Sequence, residues 1–368
     1  MVEENKYTNE FSKELEDKET EEFESDDFAE TPPSDIVAFN ELRSCADLVR
    51  MYKTDQLEIQ PDFQRDVVWS KASQTRFIDS LIKQLPIPSM CLSLDYKTGK
   101  RLMIDGLQRI SSIINFLTDK NWKLSTLNDI DKNISGKTVE QIKSRNYEVY
   151  SRLENLTIPI TVLRCDYSKK SHMHYLFTIF HRLNTGGNKL NNQEIRNCIF
   201  HGPFNDLLKQ LAKYETYVKL LEINPDKTYR FAHEELILRF FAFNDNHEEY
   251  TGRLAKFLND YMDDHKYESE ENLSAKRLLF ERVIDLLYLR ILNSTPLPRL
   301  SKATTEGILI GISKNINHLE GLANNVLQQK MNQLREDEHY SLENLKEGLS
   351  AKEKVKTRLD RAIEIFAE

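Results

Sequence analysis

Apolar residues in the first half of the chain change their period several times, and each change predicts an element. In "ASQTRFIDSLIKQL" the positions Phe77, Ile78, Leu81, Ile82 and Leu85 follow one face of a helix, which Pro86 and Pro88 stop. "SMCLSLD" and "RLMID" are short apolar runs separated by "YKTGK", and together they predict a hairpin. Directly after Gly106, the residues Ile110, Ile113, Ile114 and Leu117 return to helical spacing. "NLTIPITVLRC" is rich in β-branched residues and predicts a strand, and "HMHYLFTIFHRL" predicts a helix closed by "NTGG". A further helix begins at Asn191, with Glu194 placed three residues on as a capping-box partner. Beyond residue 200 the pattern is helical only, as in "RFAHEELILRFFAF" and "AKRLLFERVIDLLYLRIL". The reading is an α+β protein: a mixed region over 36–205 and an all-α region over 206–368.

Charge adds a third region. Residues 1–30 hold 13 Asp or Glu and three Lys, a net of −10, so the other residues carry +2 of the whole-chain −8. So acidic and sparsely apolar a segment cannot bury enough surface to offset its ordering entropy, and "TPPSD" closes it. Residues 1–35 are read as a disordered acidic tail that aids solubility. The near-neutral remainder lacks the basic excess of a broad DNA-binding face. No apolar run approaches the ~20 residues that span a bilayer, and the acidic start does not resemble a secretory signal. The four cysteines are widely spaced with no C-x-x-C pair, which fits reduced thiols in a cytoplasm rather than a zinc site or disulfides.

The stretch "LMIDGLQRISS" carries the first candidate chemistry. If a strand ends at Asp105 and a helix begins after Gly106, the unpaired N–H groups of the first turn favour an anion, and glycine lets it approach. Arg109 adds a fork suited to phosphate oxygens. Asp105 is suited to accept from a ribose, to hold a divalent ion, or to cap the helix. Gln64 and Arg65 in "PDFQRDVVW", and Arg182, Asn184, Gly186, Gly187, Glu194 and Arg196 in "FHRLNTGGNKLNNQEIR", add amides, glycines and guanidiniums. Any one arginine is readily explained by an ion pair with Asp66, Asp105 or Glu194. Taken together beside two glycine turns, they point to a polyanion pocket.

The ordered set "IQPDFQRDVVWS", "FIDSLIKQLPIPS", "MIDGLQRISSIINFL" and "FHRLNTGGNKLNNQEIRN" resembles the N-terminal, GmrS-like domain of GmrSD-type modification-dependent restriction proteins, a family within the wider ParB/sulfiredoxin-like fold. The resemblance covers roughly 36–205. It implies a nucleoside-triphosphate site, the base unspecified, linked to hydrolysis and anti-phage defence. Carried over, the family's Asp-Gly-Gln-Gln-Arg motif falls on Asp105, Gly106, Gln108 and Arg109, with Leu107 in place of the first glutamine. On this reading Asp105, Gln108 and Arg109 are catalytic. Gln64, Arg65, Gly106, Arg109, Arg182, Asn184, Gly186, Gly187 and Arg196 bind nucleotide or phosphate, and Asp105 with Glu194 holds a metal, Mg2+ being the companion of a triphosphate. Loss of the glutamine at Leu107 would slow hydrolysis while binding survives.

Sulfiredoxins keep a reactive cysteine at the position of Leu107, so that redox chemistry is not expected. ParB proteins bind CTP and clamp DNA, which keeps a nucleotide-gated DNA-binding role open. Relatives with an HNH nuclease need a His-rich metal motif. His247 in "FNDNHEE" and His318 in "INHLEG" are isolated, and the chain is read as a stand-alone member without that domain. The alternatives are a non-enzymatic DNA- or protein-binding module and a ParB-like nuclease. The partners implied are nucleotide, DNA, a second copy of the chain or a separate nuclease subunit, with no membrane.

Overall fold

The computed structural model describes residues 32–59, 69–183, 190–225, 227, 229–298, 300–341, 343–345 and 349–368. The acidic tail up to residue 31 lies outside the described residues, as do Gln64 and Arg65 and the "NTGG" residues Asn184, Gly186 and Gly187. The chain divides into two compact units, one ending at Asn191 and the other beginning at Asn192.

The first unit is built on a five-stranded mixed sheet. Its strands are β1 (Val37–Ser44), β2 (Leu57–Glu58), β3 (Met90–Asp95), β4 (Arg101–Asp105) and β5 (Thr157–Cys165), in the order β1-β5-β3-β4-β2. β1 runs antiparallel to β5, from Val37 opposite Arg164 to Ser44 opposite Thr157. β3 is parallel to β5 and antiparallel to β4. It is the central strand and is buried along most of its length on both faces, so Met90, Cys91, Leu92 and Ser93 read as a continuous run rather than an alternation. The helices are α1 (Cys45–Lys53), α2 (Lys71–Ile82), α3 (Leu107–Thr118), α4 (Val139–Arg145), α5 (Tyr147–Asn155) and α6 (Lys170–Leu183).

The helix and hairpin expectations of this unit hold, except that α2 ends at Ile82 and leaves Leu85, read as part of its apolar face, exposed. α2 starts where the Ser70 hydroxyl accepts from the Ser73 N–H at 3.1 Å, and it buries Phe77, Ile78, Leu81 and Ile82. The β3–β4 hairpin is closed by Gly99, at φ 74°, with the Asp95 carboxylate accepting from the Thr98 backbone and hydroxyl. α3 buries Ile110, Ile113 and Ile114 in one core with Leu48, Ile78, Leu92 and Val162.

The second unit contains only helices among its described residues: α7 (Asn192–Ile199), α8 (Pro203–Leu211), α9 (Glu215–Leu220), α10 (Ala232–Asn246), α11 (Leu254–His265), α12 (Glu270–Asp285), α13 (Lys302–Leu319), α14 (Asn324–Glu336) and α15 (Lys352–Ala367). α7, which the sequence pattern groups with the mixed region, packs here with α10 and α11. The division into compact units falls at 191/192. α13 has Gly307 and Gly311 where it meets Tyr340 and α15. A Cβ on Gly311 would lie 2.5 Å from the Phe366 ring, and one on Gly307 would meet the Tyr340 hydroxyl, so α15 and Tyr340 each approach α13 at a position that lacks a side chain. No described helix is long and apolar enough to cross a membrane.

Candidate functional site

The turn between β4 and α3 has the geometry that "MIDGLQR" predicts. Gly106 sits at φ 102° and ψ 15°, a left-handed conformation natural to glycine. A Cβ there would also lie 2.6 Å from Cγ of Met90, so backbone and packing both demand this residue. The register between β3 and β4 shifts beside this turn, because Cys91 faces Asp105 whereas Leu92 faces Met103. Such an irregularity re-aims the side chain next to it. Gly106, which has no side chain to offer, is the N-cap of α3, and the capping role open to Asp105 is not the one it takes.

Asp105 Oδ2 instead accepts from Arg109 Nη2 at 2.7 Å, four residues on. Nη1 of the same guanidinium donates to the carbonyl of Pro88 at 2.5 Å and more weakly to that of Ser89 at 3.4 Å. The Arg109 side chain is only 14% exposed against 38% for Asp105. The arginine thus locks the helix start to the segment that leads into β3, and the carboxylate is the part that faces solvent. Gln108 Oε1 accepts the backbone N–H of Trp69 at 3.0 Å. Gln108 thus ties Trp69, two residues before α2, to the first turn of α3. Leu107 packs, half-buried, against the hydrophobic core. Cys91, across the ladder from Asp105, is pushed up to about 12 by burial and by the Asp105 charge, so this thiol is no nucleophile. All four cysteines are free and buried.

Of the other described motif residues, Arg182 lies on α6, and Glu194 and Arg196 lie on α7. Arg182 is exposed at the end of α6, where Leu183 is exposed too, so its place beside apolar neighbours does not bury it. Glu194 and Arg196 belong to the helical unit, and the Glu194 carboxylate takes a two-pronged grip from Arg230, Nε to Oε1 at 3.0 Å and Nη2 to Oε2 at 2.6 Å. Arg196 is fully buried. Its Nε donates to Asn259 Oδ1 at 2.8 Å, and its Nη1 to Gln193 Oε1 at 3.2 Å and Glu235 Oε2 at 3.3 Å. Glu235 is shared with Arg239, which also reaches Glu306 at 2.6 Å. Burial pulls Arg196 down to about 10, which leaves it protonated at neutral pH. Burial works against the Glu235 charge, but Arg239, Lys302 and Arg196 prevail and hold the carboxyl at about 2. Glu194 and Arg196 thus make ion pairs and hydrogen bonds inside the helical unit, with partners from α10, α11 and the approach to α10. The polar groups the sequence reading missed at the turn are the Pro88 and Ser89 carbonyls and the Trp69 N–H. Pro88 was visible only as a helix stop.

Residues 45–201 match the family model described as GmrSD restriction endonuclease, N-terminal domain. The matched segment runs from the first residue of α1 to just beyond α7. No curated protein and no solved structure matches the chain.

Proposed function

We propose that this chain acts in restriction or phage defence through a nucleoside-triphosphate site at the Asp105–Arg109 turn. The observation that carries the reading is the Gly106 turn itself: a left-handed glycine that opens a twelve-residue helix and brings no side chain of its own to the first-turn N–H groups. Phosphate oxygens would meet those N–H groups and compete with Asp105 for Arg109. Asp105, the more exposed member of the pair, is the residue that would take a Mg2+ ion arriving with the triphosphate, since Mg2+ is commonly held by one carboxylate plus phosphates. Bound there, the ion would neutralise phosphate charge. Glu194 is left out of that set because its carboxylate is already held by Arg230.

Phosphate release from each ribonucleoside triphosphate, with and without DNA, tests the reading. Turnover is expected to be slow, because Leu107 offers no amide to orient water. Leu107→Gln should raise hydrolysis while leaving triphosphate affinity nearly unchanged. A variant that hydrolyses no faster than the parent would show the position to be irrelevant to turnover. A second reading, a non-enzymatic module for DNA or protein, is favoured by one feature: Arg109 already spends three hydrogen bonds on Asp105, Pro88 and Ser89. It predicts DNA or protein binding that added nucleotide does not alter.

A further inference from the structure

His247, isolated in the sequence, is not isolated in the fold. It opens a short 3-10 turn, His247–Glu249, directly after α10, and the turn packs against α15. Its Nε2 lies 3.5 Å from Glu248 Oε1 and 3.7 Å from Asp360 Oδ1, and the three atoms all fall within 4.8 Å of one another. These distances are long for hydrogen bonds. They are close to the roughly 3.3–3.6 Å that separates ligand atoms arranged tetrahedrally at ~2.0–2.2 Å around a first-row divalent cation. The imidazole is only 12% exposed, and its other nitrogen, Nδ1, is buried with no hydrogen-bond partner. Nε2 is therefore the atom through which this ring meets polar groups, and both neighbours it meets are carboxylates.

We propose that His247, Glu248 and Asp360 form a binding site for a divalent first-row cation. One imidazole and two carboxylates suit Zn2+, whose neutral-nitrogen and oxygen ligands these are. Three protein ligands leave a coordination position for water. The ion would join the end of α10 to the C-terminal helix α15, two elements over a hundred residues apart in the chain. Its competitor is Lys356, one turn before Asp360 on α15, whose ammonium pairs with Glu248 Oε2 and holds that carboxyl below its usual range. Lys314 adds a weaker positive influence on the same carboxylate. The Lys356 side chain is 36% exposed, so its head can swing into water when a cation arrives.

Equilibrium dialysis of the full chain against Zn2+, followed by Co2+ absorption spectroscopy, tests this. The wild type should bind one equivalent, with a Co2+ spectrum lacking the thiolate charge-transfer band that a cysteine site would give. His247→Ala and Asp360→Asn should weaken binding by more than about tenfold, while Lys356→Met, which removes the competing ammonium, should tighten it. Melting curves in chelator establish that each variant is folded. The half-exposed Asp360 makes Asp360→Asn the safer substitution. The site is disproved by a folded wild type that binds no Zn2+, by a thiolate band in the Co2+ complex, or by equal affinity in Asp360→Asn and wild type. It does not depend on the nucleotide reading.

Discussion

Two arginines from one sequence motif set meet opposite fates. Arg109 stands at a glycine turn with a half-exposed carboxylate beside it, whereas Arg196 is sealed among Asn259, Gln193 and Glu235. Both are charged groups placed near acids, and sequence spacing alone assigns them to one pocket. Burial separates them. A guanidinium with water at its carboxylate partner can exchange that partner for a phosphate. One inside a dry network cannot do so without stripping a donor from Asn259, Gln193 and Glu235 at once. The lesson is that an arginine's meaning in a motif depends on whether its partner is local or distant. Asp105 is four residues from Arg109, but Glu235 and Asn259 are 39 and 63 residues from Arg196.

The contrast is sharpest in stability. Arg196→Ala takes a donor from buried Asn259 and Gln193 and one of the three cations from Glu235, and should cost about 3–5 kcal/mol, read as a lowered urea midpoint. A loss below about 1 kcal/mol would mean that the network is no more than a surface pair.

Acid should reach the same network from the other side. The folded pKa of Glu235, about 2, lies below its ordinary 4.5. Its contribution is therefore complete above pH 4.5 and drains away as pH falls toward 2, up to about 3 kcal/mol in all. Melting temperature recorded over that range should fall more steeply for the wild type than for Glu235→Gln. Parallel curves would remove Glu235 from the account.

At the turn, the expected stability effect is smaller and of another kind. Gly106→Ala forces a Cβ against Met90 in a left-handed backbone, which should cost about 1–3 kcal/mol, together with loss of triphosphate binding. A variant of unchanged melting temperature and affinity would show that the strand-to-helix turn tolerates a side chain after all.

Legibility in the sequence follows the same divide between local and distant. α2, α3 and the β3–β4 hairpin were readable because a repeated period and a turn residue both mark them, although α2 ends at Ile82 and leaves Leu85 exposed. β1 left no such mark, because it is an edge strand with Val37, Phe39 and Leu42 all substantially exposed, so its apolar residues sort to no single face. The Asp105–Arg109 pair was visible as helix spacing, but its anchoring to Pro88 and Ser89 was not, since carbonyl groups carry no sequence signature. The imidazole–carboxylate cluster was hidden because Asp360 reaches His247 from the far end of the chain.

Calorimetric titration of the four ribonucleoside triphosphates into the wild type and Arg109→Ala, with urea unfolding run in parallel, tests the central claim most directly. Saturable binding of at least one triphosphate by the wild type is expected, weakened by about 1.5–3 kcal/mol in the variant, while the folded fraction stays complete. Absence of binding by the folded wild type, or equal affinity in a folded Arg109→Ala, would contradict the account.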